Sequence, residues 1–502
     1  MDGPAGERRP HGAKIRGVTG CGSGSSALAV GRARDGCGVP HRFPALIAAP
    51  PRARGRLWLT GVRLFDGGGG RVRERAAVLV EDGVIGRVGA ASEPCPAGAR
   101  VVDGGGRVLL PGLIDAHVHA AGRVPQVVRG AEEALAGTAV HFLQAELRGY
   151  LRCGVTTVRV TGSRGLAPQE ARQAMRYGAF RGPRLLTCGK IVSATAPGGR
   201  FYGAMYREAD GPDDMRRAVR EQIRDGADFI KVMTTGAWSN ELEDPEPLQL
   251  TGEELGAVAG EARRMGFLLA AHAEGLAGCE AAIMHGAHTI EHGMYLGRRP
   301  DLLEAMAAGG QVLVPTLSGY YEMAGLGDAV DQAGAPPVPP MPPVLTALAR
   351  RNLAEGAATI RAARQAGVKI AAGSDISGGT GLEIQRMIRH GLTASQALVA
   401  ATKTAAEALG LAEHLGTVTE GKLADLVIAD SDPLTEPGLL IDPGKIWLVL
   451  QLGVPAAGQA LETAPFPAQP SRPLTTYAAP AAFKTAHRPS TSCLRLARTI
   501  GR

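Results

Sequence analysis

The sequence predicts an α/β protein, a (β/α)8 TIM barrel with a small β-sandwich domain formed from both flanks of the barrel. The middle of the chain alternates short apolar runs with amphipathic helical segments. Both flanks consist of β-branched runs punctuated by glycine, and polar side chains recur where the central apolar runs end. The 502 residues are 45% hydrophobic, which suffices for one large core, so no second large domain is required.

The N-terminal segment, residues 1–55, is rich in Gly, Arg, Ala and Pro and shows no helical or strand period. We expect either a disordered tail or a start codon assigned too early. Recognisable structure begins with LWLTGVRLFDG, and residues 56–112 contain further short β-branched runs separated by glycines. This pattern predicts the N-terminal part of the small β domain.

Residues 113–411 are predicted to form the barrel, because they contain eight short apolar runs, most of them preceded by helical segments. PDDMRRAVREQIRDGA and TGEELGAVAGEARRMG are two such helical segments. The eight runs are residues 113–119, 155–160, 184–189, 228–233, 268–273, 288–293, 311–316 and 369–375.

The C-terminal flank, residues 412–456, is again strand-like, so the two flanks are predicted to pair into one sheet domain. Residues 457–502 are predicted to be a disordered basic tail. The formal charge of +7 belongs to the two ends, which carry +6 and +5 and leave −4 for the body of the chain. The body has no basic stripe interleaved with aromatic residues, so no nucleic-acid partner is predicted.

The seven cysteines stand at wide spacings with no CxxC pair, which fits neither a disulfide framework nor a zinc finger. A reducing cytoplasm is the simplest compartment. The basic N-terminal segment is not followed by a continuous apolar stretch, and no uncharged apolar run reaches about 18 residues. The sequence therefore predicts neither a signal peptide nor a membrane span.

The motif PGLIDAHVH carries the strongest local signal. His117 and His119 are two residues apart on an apolar strand, so both point to the same side, into the barrel at its C-terminal face. Two imidazoles in that position can share a metal ion. The alternative is a pair of core histidines satisfied by hydrogen bonds.

Lys231 lies between two apolar residues near the end of a strand, where an unpaired ammonium carries a large desolvation cost. One interpretation is an ion pair or a side chain that reaches solvent. The other is a depressed pKa, which lets the amine react with CO₂ to give a carbamate that bridges two metal ions.

Three further residues end predicted strands. His272 and His292 suit zinc as neutral imidazoles, although each could be a core histidine bonded to a backbone carbonyl. Asp375 could touch a metal ion and take a proton from its bound water, or it could cap the next helix. Chance does not readily explain six metal-compatible groups at the ends of five strands, so the set as a whole favours a metal site.

The motifs PGLIDAHVH, GVTTVR, DFIKVM, AHAEG, HTIEHG, AAGSD and LGTVTEGKLADLVIADSDPL resemble the amidohydrolase superfamily in order and spacing across residues 57–455. Within it the chain is most similar to the binuclear branch of Xaa-Pro and Xaa-Arg dipeptidases and imidazolonepropionase-like proteins. The resemblance implies that His117 and His119 bind the more buried ion and His272 and His292 the more exposed one. It also implies that carboxylated Lys231 bridges the ions, and that Asp375 is both a ligand and the catalytic base.

The function implied is hydrolysis of a C–N amide bond, of a dipeptide or an N-acyl amino acid, with two divalent metal ions, zinc by preference. A hydroxide bridging the ions attacks the carbonyl, and Asp375 transfers the proton to the leaving amine. The expected partner is therefore a small-molecule amide or dipeptide substrate. No membrane association is expected, and the resemblance implies a possible homo-oligomer, because members of the family commonly assemble.

The resemblance fails at two positions. Val160 stands where the branch leads us to expect Asp, and Arg200 in APGGR stands where a histidine is expected. Arg200, Tyr202 and Tyr206 are candidate substrate-binding residues, because an arginine can hold a substrate carboxylate with two hydrogen bonds. A solvated loop arginine is the alternative.

Two other functions stay open. A mononuclear deaminase or cyclic-amide hydrolase of the same fold is one, since Glu274 follows His272 and such enzymes place a proton-transferring glutamate near that histidine. A non-catalytic binding or scaffold protein is the other, although such relatives typically lose ligands and this chain retains all six.

Overall fold

The computed structural model describes residues 55–119, 136–238, 242–327, 341–376 and 378–463. The two predicted tails therefore lie almost entirely outside the described residues. Ordered structure nevertheless continues past residue 456, the predicted end of the small β domain, as far as Thr463.

The described chain contains eighteen strands. They are β1 (Arg56–Leu64), β2 (Arg73–Glu81), β3 (Val84–Ala90), β4 (Ala99–Asp103), β5 (Val108–Pro111), β6 (Leu113–Val118), β7 (Val155–Val160), β8 (Arg184–Thr187), β9 (Ile191–Ser193), β10 (Tyr206–Glu208), β11 (Ile230–Met233), β12 (Leu269–Ala273), β13 (Thr289–His292), β14 (Val312–Val314), β15 (Lys369–Ile370), β16 (Leu426–Ala429), β17 (Ile446–Gln451) and β18 (Val454–Ala457).

Helices follow most of the central strands. They are α1 (Ala136–Arg152), α2 (Ala167–Arg176), α3 (Pro197–Tyr202), α4 (Pro212–Arg224), α5 (Gly252–Arg264), α6 (Leu276–Met284), α7 (Pro300–Gly309), α8 (Leu317–Met323), α9 (Pro343–Gln365), α10 (Thr380–Arg389), α11 (Ala394–Ala400), α12 (Lys403–Ala408) and α13 (Ala460–Thr463). Local sequence explains several boundaries. At α5, for example, Thr251 and Glu254 form a reciprocal capping box.

The two flanks form one eight-stranded sheet, with the order β18-β17-β16-β5-β1-β2-β3 and with β4 paired to β1. The junction between the flanks is the antiparallel pair of β5 and β16, in which Leu110 lies opposite Val427. Alternate residues along the strands of this sheet are buried in one shared apolar cluster, for example Leu59 of β1, Val78 of β2 and Leu448 of β17. Pairing of both flanks in one sheet is what the two strand-like regions predict.

The central strands are parallel and, by hydrogen-bond pairing, fall into two sheets. One has the order β10-β9-β11-β12-β13-β14-β15 and the other the order β6-β7-β8. Their residues are buried almost without exception, as expected for parallel strands covered by helices on one side. All eight predicted runs contain a strand, so the α/β class is confirmed. Strands β9 and β10 were not predicted.

Backbone hydrogen bonds also join the edges of these two sheets. The amide of Ala116 in β6 donates to the carbonyl of Ala372 at 2.9 Å, and that of Asp375 donates to the carbonyl of His117 at 2.8 Å. At the other edge the amide of Asp228, just before β11, donates to the carbonyl of Thr187 in β8 at 2.7 Å. The ends of β6, β11, β12, β13 and β15 are thereby held around one region.

Four cysteines fall in the described part of the chain, Cys95, Cys153, Cys188 and Cys279, and each is a free thiol. None of the helices in the described ranges combines the length and apolar character that crossing a bilayer requires.

Candidate metal centre

The structure gathers five of the six predicted metal ligands, together with Glu274, into two groups of possible metal-binding side chains. His117, His119 and Asp375 form the first group. His272, Glu274 and His292 form the second group. Within each group the candidate ligand atoms all lie within 4.8 Å of one another. Both groups are at the carboxyl ends of the parallel strands, because β6, β12 and β13 end at these histidines.

In the first group, the carboxylate of Asp375 lies between two imidazoles. Its Oδ1 atom is 3.4 Å from Nε2 of His119 and 3.6 Å from Nε2 of His117. The His117 side chain is 1% exposed, whereas those of His119 and Asp375 retain 29% and 24%. His117 therefore forms the floor of the site, and the other two side chains face its open side.

The second group lies directly beside the first. The ring centroids of His272 and His292 are 4.5 Å apart, and that of His292 is 5.1 Å from that of His117. Adjacent imidazoles repel when both are protonated, and burial penalises the charged form further. Burial is the main reason that the pKa of His272 falls to about 3 and that of His119 to about 4. The imidazoles are consequently neutral near pH 7, as metal binding requires.

Lys231, the remaining predicted ligand, lies in β11 and is 1% exposed. Its Nζ atom has no hydrogen-bond partner among the described residues. Burial is the main reason that the pKa of Lys231 falls to about 8, and the positive charge of Arg159 lowers it further. Its own charge in turn lowers the pKa of all four histidines, which places the ammonium within electrostatic reach of both groups.

The hydrogen-bond partners of the histidines determine which ring nitrogen is free. Nδ1 of His117 lies 2.6 Å from Oε2 of Glu291, and Nδ1 of His119 lies 3.1 Å from the carbonyl of Gly162. Because these oxygens only accept, each Nδ1 carries the proton and each Nε2 is left for a metal ion. His272 is the reverse, since its Nε2 donates to the carbonyl of Gly236 at 3.0 Å.

Glu291 and Arg159 are structural partners of the centre that sequence reasoning missed. Nη2 of Arg159 lies 2.8 Å from Oε1 of Glu291, and both side chains are buried. Burial alone would raise the pKa of Glu291, but the charges of Arg159 and Lys231 hold it well below its usual range. The sequence did contain a signal for this pair. The apolar run VTTVRV holds one positive residue, Arg159, and the apolar run HTIEHG holds one negative residue, Glu291.

The second group contains Glu274, which is buried between two donors. Its Oε1 accepts the hydroxyl of Tyr320 at 2.5 Å, and its Oε2 accepts the amide of Trp238 at 2.8 Å. Burial raises the pKa of Glu274 to about 8 in spite of these bonds. The carboxyl group of Glu274 therefore holds a proton near neutral pH in the absence of a metal ion.

Three residues of the centre have a left-handed backbone that side-chain-bearing residues rarely adopt. The φ angles are 70° at His292, 49° at Thr316 and 56° at Asp375. Such conformations persist only where the surroundings impose them, and they are common at functional sites. Close packing also constrains Gly373, because an added Cβ atom there would lie only 2.7 Å from Cβ of His117.

The predicted substrate-binding residues lie on α3 and β10. Arg200 is exposed on α3, whereas Tyr206 is buried in β10 with its ring stacked on that of Tyr202 at 5.0 Å. Burial raises the pKa of Tyr206 well above its usual range, and the charges of Glu243 and Glu274 add to this. Tyr206 is thus within electrostatic reach of the second group, and Arg200 extends into solvent from the same segment.

These observations fit a divalent metal site. The donor set combines neutral imidazoles with the carboxylate of Asp375. Nε2 of His117 and Nζ of Lys231 are buried polar atoms without a hydrogen-bond partner in the described residues, and such atoms are costly unless something binds them.

Comparisons with known proteins agree with the geometry. The profile of the amidohydrolase family matches residues 108–455. Ochratoxinase from Aspergillus niger is 30% identical over 449 residues, which cover 82% of this chain and 89% of that protein. Its crystal structure aligns with a TM-score of 0.71 at 26% identity, covering 81% of this chain and 96% of that one.

Two further relatives point the same way. A prolidase complexed with N-methylphosphonate-L-proline aligns with a TM-score of 0.69 at 28% identity, and the alignment covers 80% of this chain and 100% of that one. Imidazolonepropionase from Paracoccus denitrificans is 27% identical over 406 residues, covering 73% of this chain and 90% of that protein. With a family profile that spans its two central sheets and the strands β5, β16 and β17 of the flanking sheet, this chain belongs to the amidohydrolase family of hydrolases.

Proposed function

We propose that this amidohydrolase cleaves the C–N amide bond of a dipeptide or an N-acyl amino acid with the help of two divalent ions, zinc by preference. The supporting observation is the position of Lys231. Its buried amine has no hydrogen-bond partner in the described residues, and it lies on β11, which pairs with the strand of His272. Its charge lowers the pKa of histidines in both groups, and as an N-carboxylated side chain it would be a ligand common to both ions. Carboxylation would also supply the negative charge that two dications need.

The proposal includes the architecture. Strands β6–β8 and β11–β15 of the two parallel sheets form one (β/α)8 barrel, to which β9 and β10 are additions. In this barrel β6 closes against the segment after β15 and β8 against the start of β11. The backbone bonds between Ala116 and Ala372 and between Asp228 and Thr187 support this closure. A barrel places catalytic side chains at the carboxyl ends of its strands, where both groups lie.

Each group has its own part in the mechanism. His117, His119 and Asp375 would hold one ion, His272 and His292 the other, and Lys231 both. When bound, the ions supply a polarised carbonyl and a water molecule of lowered pKa. Asp375 takes the proton of the attacking water and delivers it to the leaving amine, because its partly exposed carboxylate is the acid–base group of the first set that faces the open side.

Relatives support the substrate class. One structural neighbour is named a prolidase complexed with N-methylphosphonate-L-proline, and another a Xaa-Pro dipeptidase with methionine bound in its active site. Both names refer to a bound amino acid or amino-acid derivative, and such a molecule carries a carboxylate. In this chain Arg200 would hold that carboxylate, and Tyr202 and Tyr206 would line the substrate pocket beside it.

A second candidate is a mononuclear deaminase or cyclic-amide hydrolase. The observation that favours it is Glu274, which lies beside His272 with a buried carboxyl group suited to donating a proton. In that case one ion would suffice and Lys231 would be dispensable.

Metal content and turnover distinguish the candidates. Zinc-loaded wild type, Lys231→Ala and the control Lys445→Ala, an exposed lysine on the flanking sheet, are assayed for bound metal and for hydrolysis of a dipeptide and N-acyl amino acid library. About two ions per chain, with metal and activity lost together only in Lys231→Ala, is expected. One ion per chain and an active Lys231→Ala variant would contradict the proposal.

A further inference from the structure

The segment from Thr316 to Tyr320, which follows β14, contacts both metal groups. Nδ1 of His292 lies 2.7 Å from Oγ1 of Thr316, and the hydroxyl of Tyr320 donates to Oε1 of Glu274 at 2.5 Å. Two of the three members of the second group are thereby oriented by one short stretch of chain.

The same segment also reaches the first group. A Cβ atom on Gly319 would lie 3.2 Å from both Cβ and Oδ2 of Asp375, so the backbone of α8 packs closely against this carboxylate. The backbone of α8 therefore lies beside Asp375 as well as beside the second group, although the hydrogen bonds of this segment to candidate ligands are made to the second group.

The start of this segment has no cap of its own. Thr316, the residue before α8, has φ and ψ angles of 49° and 40° and makes no side-chain cap bond. Its hydroxyl donates to the carbonyl of Pro315 at 2.8 Å, so that its oxygen accepts the Nδ1 proton of His292. This arrangement fixes the tautomer of His292 and leaves its Nε2 atom free for a metal ion.

Glu383 of α10 supplies the missing cap. Its Oε1 accepts the amide of Leu317 at 3.0 Å, and its Oε2 accepts the amide and the hydroxyl of Ser318 at 2.7 and 2.6 Å. Glu383 is 0% exposed, and a carboxylate buried this completely is costly unless donors satisfy it. Its partners lie at the start of α8, so burial of Glu383 and the position of the segment depend on each other.

We propose that Glu383 is a positioning residue, which holds Thr316 against His292 and Tyr320 against Glu274 and thereby sets the metal affinity of the second group. The inference rests on the proposed two-ion centre. Glu383 touches no candidate ligand itself and acts only through the segment that it anchors.

The test compares zinc affinity with stability in five metal-free proteins: wild type, Glu383→Ala, Glu383→Gln, Ser318→Ala and Glu261→Ala. Each is titrated with Zn²⁺ in competition with a chromogenic chelator, and its thermal unfolding midpoint is recorded. Glu261 is the control, because it is a buried carboxylate on α5 that binds Arg220 and Arg264 and its loss removes stability without touching the centre.

We expect wild type to bind two ions. Glu383→Ala should keep one tightly bound ion and bind the second at least about tenfold more weakly, as for other partners of metal ligands. Ser318→Ala removes one of the three bonds and should weaken the second ion by about threefold. Glu383→Gln, which retains one carbonyl acceptor, should recover part of the affinity. Glu261→Ala should lower only the unfolding midpoint.

If both Glu383→Ala and Ser318→Ala bind each of the two zinc ions with the same dissociation constant as wild type, the inference is overturned, whatever happens to their unfolding midpoints. If Glu383→Ala does not fold, Ser318→Ala decides by the same criterion. A wild type that binds a single ion would overturn the two-ion centre and this inference together. Failure to hydrolyse any amide, with two ions bound and the second weakened in the variants, would contradict only the proposed reaction.

Discussion

Arg159 and Glu291 form a fully buried ion pair on the side of His117 that faces away from Asp375. The Arg159 Nη2 to Glu291 Oε1 distance is 2.8 Å, and the second oxygen of Glu291 holds Nδ1 of His117 at 2.6 Å. Removing one partner of a buried pair leaves the other charge uncompensated, which typically costs about 3–5 kcal/mol. Loss of either partner is therefore expected to destabilise the fold and to disturb the orientation of His117, a candidate metal ligand.

We predict that Glu291→Gln lowers the free energy of unfolding by about 3–5 kcal/mol, because the guanidinium of Arg159 then stays buried without a counter-charge. Urea denaturation of the zinc-loaded protein measures it. The double variant Arg159→Met/Glu291→Gln should lose less than the sum of the single variants. Additive losses, or a Glu291→Gln variant as stable as wild type, would contradict the prediction.

Metal removal should destabilise the protein. An ion that binds only the folded state adds about 2.7 kcal/mol when its free concentration is a hundred times its dissociation constant. A chelator should therefore lower the thermal unfolding midpoint of wild type, and added zinc should restore it. Lys231→Ala should show a smaller shift, whereas Lys445→Ala should behave as wild type. Equal midpoints with and without chelator would count against a metal centre.

Replacing Arg200 tests substrate recognition. If its guanidinium holds the substrate carboxylate, Arg200→Ala should raise KM for a dipeptide by about tenfold or more, since bonds between charged groups contribute about 1.5–3 kcal/mol. The corresponding dipeptide amide, which lacks the carboxylate, should keep its KM. Arg200→Lys should fall in between. Arg176→Ala, an exposed arginine on α2, is the control, and equal effects on both substrates would exclude the role.

Stability at acid pH should depend on Glu261. Hydrogen bonds from Arg264 and Arg220 lower the pKa of Glu261 from 4.5 to about 2 in the folded protein. Its contribution is thus present above pH 4.5 and is lost as the pH falls towards 2. Both arginines are more than half exposed, so we expect about 1 kcal/mol at pH 7. Urea denaturation of wild type and Glu261→Gln should show a difference at pH 7 that shrinks at pH 3.5 and below. A difference independent of pH would contradict the assignment.

The ends of the chain can be tested by truncation. Deleting residues 1–54 and 464–502 should leave kcat/KM and the unfolding midpoint unchanged. Deleting from residue 457 instead should lower the midpoint, because Ala457 and Ala460 are buried and Ala460 packs into the core of the flanking sheet. A loss of kcat/KM on the shorter deletion would show that the tails take part in function.

Much of the fold follows from local sequence pattern. Apolar runs between amphipathic helices predicted a strand in all eight places, and glycine-separated β-branched runs predicted that the flanks share a sheet. The last run was the least accurate, since β15 covers only Lys369–Ile370 of the predicted 369–375. Beyond it the backbone turns towards other partners: Ala372 bonds to Ala400, and Asp375 adopts a left-handed conformation.

The candidate ligand set was recognisable for a similar reason, because most of its members lie at or near the end of an apolar run, where a polar residue is conspicuous. Their partners were not. Glu383 lies in a helix whose other residues give no sign of what it caps, and its role depends on a loop some 65 residues earlier in the chain. Tyr320 likewise gains significance only from the position of Glu274. Pairings between distant elements are set by tertiary packing, which a single sequence does not display.

The pairing of β5 with β16 constrains the order in which the polypeptide can mature. Val108 must find Ala429 before the flanking sheet is complete, so strands made early in synthesis wait for partners made near the end. Contacts this distant along the chain slow folding, because a long loop must close before they form. Until then the apolar edge of β5 is open to other strands, and an unpaired strand edge of this kind favours aggregation.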